Sequence, residues 1–273
     1  MPRIMLLLLL CLALECRADT SAEVWLKQGL DAFHAGNHTQ ALKFYLLSAD
    51  QGLPEAMFSI GYMYLQGLGV TRECETAALW FRLAAEKKFP DALYSLGCLY
   101  QEGTGVPQNY AEAAKQYQQA AELGLSDAQY SLALLYDNGL GVKQDFATAA
   151  AWYRKAALQG DPGAQLNLGL MYETGQGVKQ DLFEASGWYR KAADLGYSKA
   201  QFNLGCLYQN GQGVQKDLVQ AYMWFELSLV AGSDDLKKSA IANREVLTSL
   251  MKREQISEAH KLAGEWLRKF NGK

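Results

Sequence analysis

The chain reads DAQYSLALLYDNGLGVKQDFATAAAWYRKAALQGDP over residues 127–162 and GAQLNLGLMYETGQGVKQDLFEASGWYRKAADLGYS over residues 163–198. These two stretches align without a gap, and the same pattern extends outward in both directions with a period of 36 residues. The five segments that share it are 55–90, 91–126, 127–162, 163–198 and 199–234. Tandem copies of this length predict stacked helix pairs, because one such pair cannot bury its apolar face alone.

Each copy contains two predicted helices. The first half has apolar residues at helical spacing, for example Ala92, Leu96 and Leu99 in the second copy. Four copies also have a glycine in the middle of this first helix, where it costs about 1 kcal/mol relative to alanine. We therefore expect another helix to approach the backbone closely at these positions. They are Gly61, Gly97, Gly169 and Gly205, with Ala133 at the equivalent position of the third copy.

Glycines and polar residues mark the ends of the helices. A Gly-x-Gly-Val sequence follows each first helix, and its first glycine suits a left-handed helix end, while its second allows a tight connection. The next polar residues are predicted N-caps of the second helix, namely Asn109, Asp145, Asp181 and Asp217. A final glycine ends the second helix in four copies, at Gly124, Gly160, Gly196 and Gly232, and Lys88 takes this position in the first copy.

The two ends of the repeat array differ from its middle. Residues 24–52 predict a shorter helix pair that resembles a tetratricopeptide repeat. Residues 235–273 lose the repeat and predict two capping helices, which would shield the open end of the last copy. The apolar face predicted for the last helix consists of Ile256, Ala259, Leu262, Ala263, Trp266 and Phe270.

The repeat resembles that of a known family. Its consensus is A-x-x-x-L-G-x-x-Y-x-x-G-x-G-V-x-x-D-x-x-x-A-x-x-W-Y-x-x-A-A-x-x-G, which is similar to the tetratricopeptide-like Sel-one-like repeat (SLR) family. The resemblance covers residues 24–234, and the tail REQISEAHKLAGEW (253–266) is similar to caps of bacterial members. It implies an all-α, right-handed α/α superhelical solenoid of helix-turn-helix repeats with an adaptor or scaffold role. It identifies neither a partner nor a pathway.

The N-terminus predicts an export signal. Arg3 precedes an apolar run from Ile4 to Leu14, which is shorter than the roughly 20 residues of a membrane-spanning helix. We expect residues 1–18 to be cleaved after Ala18, with a second candidate site after Ala22. The mature chain would then have no transmembrane segment and would be periplasmic or secreted. An uncleaved anchor and a lipoprotein attached through Cys16 are the alternatives.

The distribution of charge argues against nucleic acid as a partner. Residues 19–234 contain 15 Lys and Arg against 23 Asp and Glu, whereas residues 235–273 contain 9 against 5. Binding to phosphates requires clustered basic residues, which the acidic repeats lack. We therefore expect a protein or peptide partner and a monomeric chain.

No candidate catalytic or metal site is convincing. His34 and His38 have the spacing of a metal-binding pair on a helix, but a predicted helix end lies between them and no third ligand is evident. The repeated Gly-x-Gly precedes an Asp or another polar residue in every copy, so turns are favoured over phosphate loops. Consequently we predict no metal, no cofactor and no enzymatic activity.

Family members rich in cysteine are linked to penicillin binding or weak β-lactam hydrolysis, which makes two features relevant. Ser249 and Lys252 match the Ser-x-x-Lys element of penicillin-binding enzymes, but the two companion motifs of these enzymes are absent. The mature chain would keep Cys74, Cys98 and Cys206, an odd number without the paired cysteines of that subclass. Buried, inert thiols are expected at the last two.

The first helices of tetratricopeptide-like stacks line the concave face, which is where we predict binding. The expected stripe has aromatic and apolar residues edged with amides and carboxylates, although the same aromatic residues could simply pack between adjacent first helices. The candidate partner-binding residues are Phe58, Tyr62, Tyr94, Gln101, Tyr130, Asn138, Phe202 and Asn210. Of these, Gln101, Asn138 and Asn210 are expected near the surface, with little contribution to the core.

The predicted function is an exported adaptor or scaffold that binds proteins or peptides on this concave face. One alternative is binding of a cell-wall ligand or β-lactam hydrolysis. Another is a quality-control subunit in a eukaryotic secretory compartment, which glycosylation of the Asn37-His38-Thr39 sequon would support.

Overall fold

The computed structural model describes residues 21–272, and this part of the chain is helical without strands. The helices are α1 (21–34), α2 (His38–Asp50), α3 (Pro54–Gln66), α4 (Cys74–Glu86), α5 (Pro90–Glu102), α6 (Tyr110–Glu122), α7 (Ser126–Asn138), α8 (Phe146–Leu158), α9 (Pro162–Thr174), α10 (Leu182–Asp194), α11 (Ser198–Asn210), α12 (Leu218–Ala231), α13 (Asp234–Leu250) and α14 (Arg253–Asn271). Odd-numbered helices up to α11 are the first helices of six repeats, and even-numbered helices up to α12 are the second helices. The predicted fold class, an all-α repeat solenoid, is confirmed.

The described residues divide into two compact units. The first contains the residues up to Ala128 together with Leu140–Val142, and the second contains Gln129–Gly139 and the residues from Lys143 onward. Inside each unit the main contacts join the two helices of a repeat, and further contacts join a second helix to the first helix of the next repeat. This neighbour-by-neighbour packing is the arrangement expected of a solenoid.

The close approach predicted at the glycines inside the first helices is confirmed, and the group that approaches is an aromatic ring of the second helix. A Cβ atom added to Gly97 would lie 2.5 Å from the ring of Tyr117, so a side chain at this position would collide with it. The same contact joins Gly29 to Tyr45, Gly61 to Phe81, Gly169 to Tyr189 and Gly205 to Phe225. All these rings are almost completely buried. The glycine therefore allows an aromatic ring to fill the space between the two helices.

The second glycine of each turn has a role beyond the tight connection that the sequence predicts. Gly105 has φ +69°, and a Cβ at this position would lie 2.2 Å from the carbonyl oxygen of Cys74. Because Cys74 begins the second helix of the preceding repeat, this glycine lets the turn of one repeat touch the helix start of another. Gly177 approaches the Phe146 carbonyl oxygen in the same way. The turns thus contribute to stacking as well as to connecting helices.

The predicted N-caps are confirmed. Asn109 Oδ1 accepts hydrogen bonds from the backbone N–H groups of Ala111 and Glu112 at 3.0 and 3.1 Å. The side chains of Asp145, Asp181 and Asp217 accept the equivalent bonds at the starts of α8, α10 and α12. Glu73, at this position before α4, makes no such bond. Lys88 adopts the left-handed conformation, with φ 59°, where other repeats have glycine.

Two helices follow the last repeat. Helices α13 and α14 both contact α12. The apolar face predicted for α14 is oriented inward, with Ala259 and Ala263 buried and Trp266 partly buried. Trp266 packs edge-on against Trp224 of α12, with ring centroids 6.3 Å apart. Phe270, also predicted on this face, is more exposed and stacks on Trp266 at 4.7 Å.

Candidate partner-binding face

The predicted aromatic residues of the first helices lie partly buried beside the second helices. Each packs against the buried aromatic ring of the second helix in its own repeat. The pairs are Phe58–Phe81 at 5.5 Å, Tyr94–Tyr117 at 5.6 Å, Tyr130–Tyr153 at 5.9 Å and Phe202–Phe225 at 5.4 Å between centroids. The rings were expected to pack between adjacent first helices if their role were structural. Two of them also contact the start of the next first helix: the Phe58 ring lies 5.5 Å from that of Phe89, the N-cap of α5, and a Cβ on Gly163 of α9 would lie 3.1 Å from the Tyr130 ring. Each ring is only partly buried, so part of its surface reaches solvent.

The row is not uniform along the repeats. Leu166, at the position of these aromatic residues in α9, is buried. One turn later, Tyr62 and Leu170 are exposed, while Cys98 and Cys206 are half-buried. We use the term first-helix face for the surface formed in each unit by Phe58, Tyr62, Tyr94, Tyr130, Leu170, Phe202 and the polar residues at the C-terminal ends of the same helices.

Tyrosine hydroxyls of the second helices donate hydrogen bonds to polar side chains in the last turn of the first helices. The hydroxyl of Tyr117 donates to Gln101 Oε1 at 3.1 Å. Tyr153 donates to Asp137 Oδ2 at 3.2 Å, and Tyr189 donates to Glu173 Oε2. The sequence contains a signal for these bonds that was not used as a prediction. In all three repeats a tyrosine follows a polar residue by 16 positions. The repeat formed by α3 and α4 instead has Phe81 at this spacing after Leu65, and it lacks the bond.

These bonds correct the expectation for Gln101. The side chain is half-buried and accepts a hydrogen bond from a tyrosine of the core, so it contributes to repeat packing. Asn138 and Asn210, by contrast, are exposed as predicted. Asn138 Nδ2 donates to the Leu134 carbonyl oxygen at 2.8 Å, and Asn210 Nδ2 lies 3.5 Å from Gln212 Oε1. Variants of these two asparagines therefore test the surface with less effect on the core.

Burial controls the protonation of the groups beneath the face. It is the largest cause that raises the pKa of Tyr117, Tyr153 and Tyr189 far above the ordinary value, and the neighbouring Asp137 and Glu173 charges raise it further for the latter two. The three hydroxyls are therefore permanent donors near neutral pH. Burial also raises the pKa of the Cys206 thiol to about 11, with the Glu173 charge as the next cause.

Carboxylates occur where helix electrostatics disfavours them. Asp137, Glu173 and Glu102 lie in the last turn of their first helices, near the negative end of the helix dipole. Asp137 and Glu173 gain a tyrosine donor there, but each carboxylate has further acceptor capacity. Such groups can accept hydrogen bonds from a docked chain or pair with its Lys and Arg side chains.

The positions considered for chemistry do not assemble into a catalytic set. Ser249 lies at the end of α13 and donates to the Val246 carbonyl oxygen at 2.7 Å, while Lys252 begins the next helix as its N-cap. His34 ends α1 and His38 starts α2, with the His38 ring 4.9 Å from that of Phe33. Within residues 21–272 there is no group of three or more His, Cys, Asp and Glu that could hold a metal ion. Cys74, Cys98 and Cys206 are free thiols.

Comparison with known families gives a repeat-by-repeat match. A family model described as Sel1 repeat matches residues 22–53, 54–89, 90–125, 126–161, 162–197 and 198–229. The chain belongs to the Sel1 repeat family. The first match includes the N-terminal helix pair, which the sequence analysis compared with a tetratricopeptide repeat. Sel1 repeat proteins generally mediate protein–protein interactions and are scaffolds rather than enzymes.

One solved Sel1 repeat protein supports the same fold. A Sel1 repeat protein from Oxalobacter formigenes is 32% identical, with a TM-score of 0.77, and the match covers 88% of this chain and 99% of that chain. The protein c5321 is described as a protective antigen of uropathogenic Escherichia coli with an SLR fold. It is 28% identical, with a TM-score of 0.44, over 93% of this chain and 70% of that chain. A comparison with curated protein sequences finds no match.

Proposed function

We propose that this Sel1 repeat protein is an exported, non-enzymatic adaptor that binds a protein or peptide segment on its first-helix face. The observation that carries the proposal is made in each unit separately: partly exposed aromatic rings of the first helices lie with polar side chains that buried tyrosines hold in place. Rigid aromatic surface contributes much of the affinity of protein interfaces. The fixed amides and carboxylates offer hydrogen bonds to an extended backbone.

The charge of the first helices indicates which segments fit. Helices α3, α5, α7, α9 and α11 contain six acidic residues and a single basic residue, Lys199. Three of the acids, Glu55, Asp91 and Asp127, lie in the first helical turn, where the helix dipole favours them. The others lie in the last turn, where it does not. A segment with apolar residues and interspersed Lys or Arg would complement both the rings and the charges.

Export rests on the N-terminal segment, which lies outside the described residues. The two candidate cleavage sites differ in their effect on the fold. Cleavage after Ala22 would cut inside α1 and remove a carbonyl oxygen that accepts a hydrogen bond from Ser48 Oγ at 2.8 Å. Cleavage after Ala18 would leave α1 intact, and we propose this boundary. N-terminal sequencing of the protein purified from its native envelope checks it, with Asp19 expected as the first residue.

Affinity purification from that envelope, followed by mass spectrometry, identifies the partner. Its dissociation constant is then measured for the wild type and for the combined variant Tyr94→Ala, Tyr130→Ala and Phe202→Ala. Buried interface aromatics contribute about 2 kcal/mol or more, which corresponds to roughly thirtyfold in affinity. Because these rings also pack against second helices, the melting temperature of the same variant must be measured.

The variant Asn138→Ala with Asn210→Ala provides the cleaner test, since both side chains are exposed. Weaker binding with an unchanged melting temperature supports docking on the first-helix face. Wild-type affinity in both variants would place the partner elsewhere, and the basic cap around Lys261, Arg268 and Lys269 would be examined next. Hydrolysis of a β-lactam that Ser249→Ala abolishes would contradict the non-enzymatic assignment.

A further inference from the structure

The outward positions of the second helices change character along the chain. Repeats one and two each have leucine at two of three such positions, with Leu46 and Leu47 on α2 and Leu79 and Leu83 on α4, and a basic residue at the third, Lys43 or Arg82. These four residues, the N-terminal leucine patch, are 42%, 47%, 55% and 43% exposed. The next three repeats have mostly polar or small residues at the positions equivalent to Leu46, Leu79 and Leu83. In that order, these are Gln118, Lys115 and Gln119 on α6; Arg154, Ala151 and Lys155 on α8; and Arg190, Gly187 and Lys191 on α10. The repeat itself does not require leucine at these positions.

The patch borders a groove. Leu46, Leu47 and Leu83 line a depression of about 730 Å³ together with Met57 and Trp80. Lys43 and Asp50 form its polar ends on α2. Leu79 extends the apolar surface by one turn along α4. All of these residues belong to the N-terminal unit, so the groove is formed by that unit alone.

Repeat six shows what covers such a surface in this fold. Met223, Trp224 and Leu227 of α12 are equivalent to Leu79, Trp80 and Leu83 of α4, yet they are only 6%, 1% and 1% exposed. The amphipathic helix α14 lies against α12, where Trp266 packs on Trp224. His260 Nδ1 of α14 also pairs with Glu226 at 2.8 Å. One amphipathic helix thus contributes both apolar and polar contacts to a second helix.

We propose that the N-terminal leucine patch and its groove bind an amphipathic helix of a partner protein, in the way that α14 binds α12. An amphipathic helix presents apolar anchors at i, i+3, i+4 and i+7, which match leucines spaced along two neighbouring helices. A second copy of the chain fits less well, because four half-exposed leucines offer less than the roughly 800 Å² per partner that a stable interface buries. Apart from Met57 of α3, the surface lies on second helices, and it shares no residue with the first-helix face. The proposal is therefore independent of the function proposed for that face.

The test uses the full chain and a fluorescein-labelled synthetic helical peptide with leucines at i, i+3, i+4 and i+7 and with Lys and Glu elsewhere. A peptide of the same composition with its leucines redistributed around the helix is the control. Fluorescence anisotropy should show saturable binding of the first peptide only. The variant Leu46→Lys with Leu83→Lys should weaken this binding at least tenfold, since each leucine would lose its apolar contact.

Leu158→Lys is the matched control variant, because Leu158 is 70% exposed and lies outside the groove. It should bind the peptide like the wild type. A milder variant, Leu47→Gln with Leu79→Gln, keeps the test valid if the lysine variant unfolds, and it should also weaken binding. Equal binding of the two peptides, or wild-type affinity in the folded leucine variants, would overturn the proposal.

Two other occupants give distinct results. A wild-type dimer in light scattering that the leucine variants convert to a monomer would assign the patch to a second copy of the chain. Sedimentation with vesicles of phosphatidylcholine and phosphatidylglycerol that the same variants abolish would assign it to a lipid surface. Either result would overturn the assignment to a partner helix.

Discussion

Helices α4 and α12 are equivalent second helices, and they differ mainly in what lies on their outward side. In α12, Trp224 and Leu227 are buried in the cluster that includes residues of α14. In α4, the equivalent Trp80 and Leu83 line an open groove. Their inward sides are alike, because Phe81 and Phe225 both fill a glycine position of the first helix. The repeat therefore determines the inward contacts, and the neighbouring helices outside the repeat determine the role of the outward residues.

The largest expected effect separates the two outward sides. Leu227→Lys would place a charge where the side chain is 1% exposed, so we expect it to lower the free energy of unfolding by about 4 kcal/mol or more. Leu83→Lys, at a side chain 43% exposed, should change it by no more than about 0.5 kcal/mol. Urea denaturation followed by circular dichroism measures both. Similar losses in the two variants would mean that the outward sides are equally covered.

The inward sides should respond alike. Gly61→Ala and Gly205→Ala would each place a Cβ 2.8 Å from a ring carbon of Phe81 or Phe225, and each should cost about 1–3 kcal/mol. Gly187→Ala is the control, because its added Cβ meets nothing within 4 Å and alanine favours the helix by about 1 kcal/mol. Melting temperatures should fall for the first two variants and rise for the third. A fall at only one of the first two would show that the two ends do not share this contact.

The helix starts provide a smaller contrast. Asp217 Oδ1 accepts bonds from the backbone N–H groups of Val219 and Gln220 at 2.9 and 3.0 Å, whereas Glu73 makes no cap bond before α4. We expect Asp217→Ala to cost about 1 kcal/mol and Glu73→Ala to cost less, since Glu73 makes no bond to the helix backbone. Its loss removes a favourable charge near the helix dipole and an exposed hydrogen bond from the Thr76 hydroxyl. Chemical denaturation of both variants checks this difference. An equal loss would indicate that Glu73 caps α4 after all.

The smallest expected effect concerns reactivity rather than stability. Cys206 has a pKa raised to about 11 from an ordinary value of 9.0, so its thiolate should be about a hundredfold less abundant at pH 8 than that of an ordinary thiol. Its alkylation by iodoacetamide should therefore be slow at pH 8 and accelerate as the pH approaches 11. Mass spectrometry of the Cys206 peptide gives the rate. Alkylation at pH 8 as fast as that of a free cysteine would contradict the raised pKa of this thiol.

Local features were predictable because each depends on a few neighbouring residues. A glycine in mid-helix indicated a close approach, and the structure identifies the partner as an aromatic ring of the second helix. The polar residue before each second helix indicated an N-cap, and four of these caps form. Gln101 was assigned incorrectly to the solvent-facing edge. Its position depends on the Tyr117 hydroxyl, a contact across helices that spacing within one helix does not reveal.

The sequence by itself determined the helix pairs, their turns, their caps and the family, because a 36-residue period imposes the same local chemistry on every copy. Tertiary structure decided which equivalent residues are covered. Leu83 and Leu227 occupy the same repeat position, but their burial depends on elements that lie outside the repeat. Helix α14 packs against α12, which contains Leu227, and belongs to the cluster that buries this residue. The same applies to Phe58 and Tyr94, whose rings divide their surface between the second helix and solvent. Apolar area is removed from water only where another element covers it, and this is a property of the packed chain rather than of the repeat.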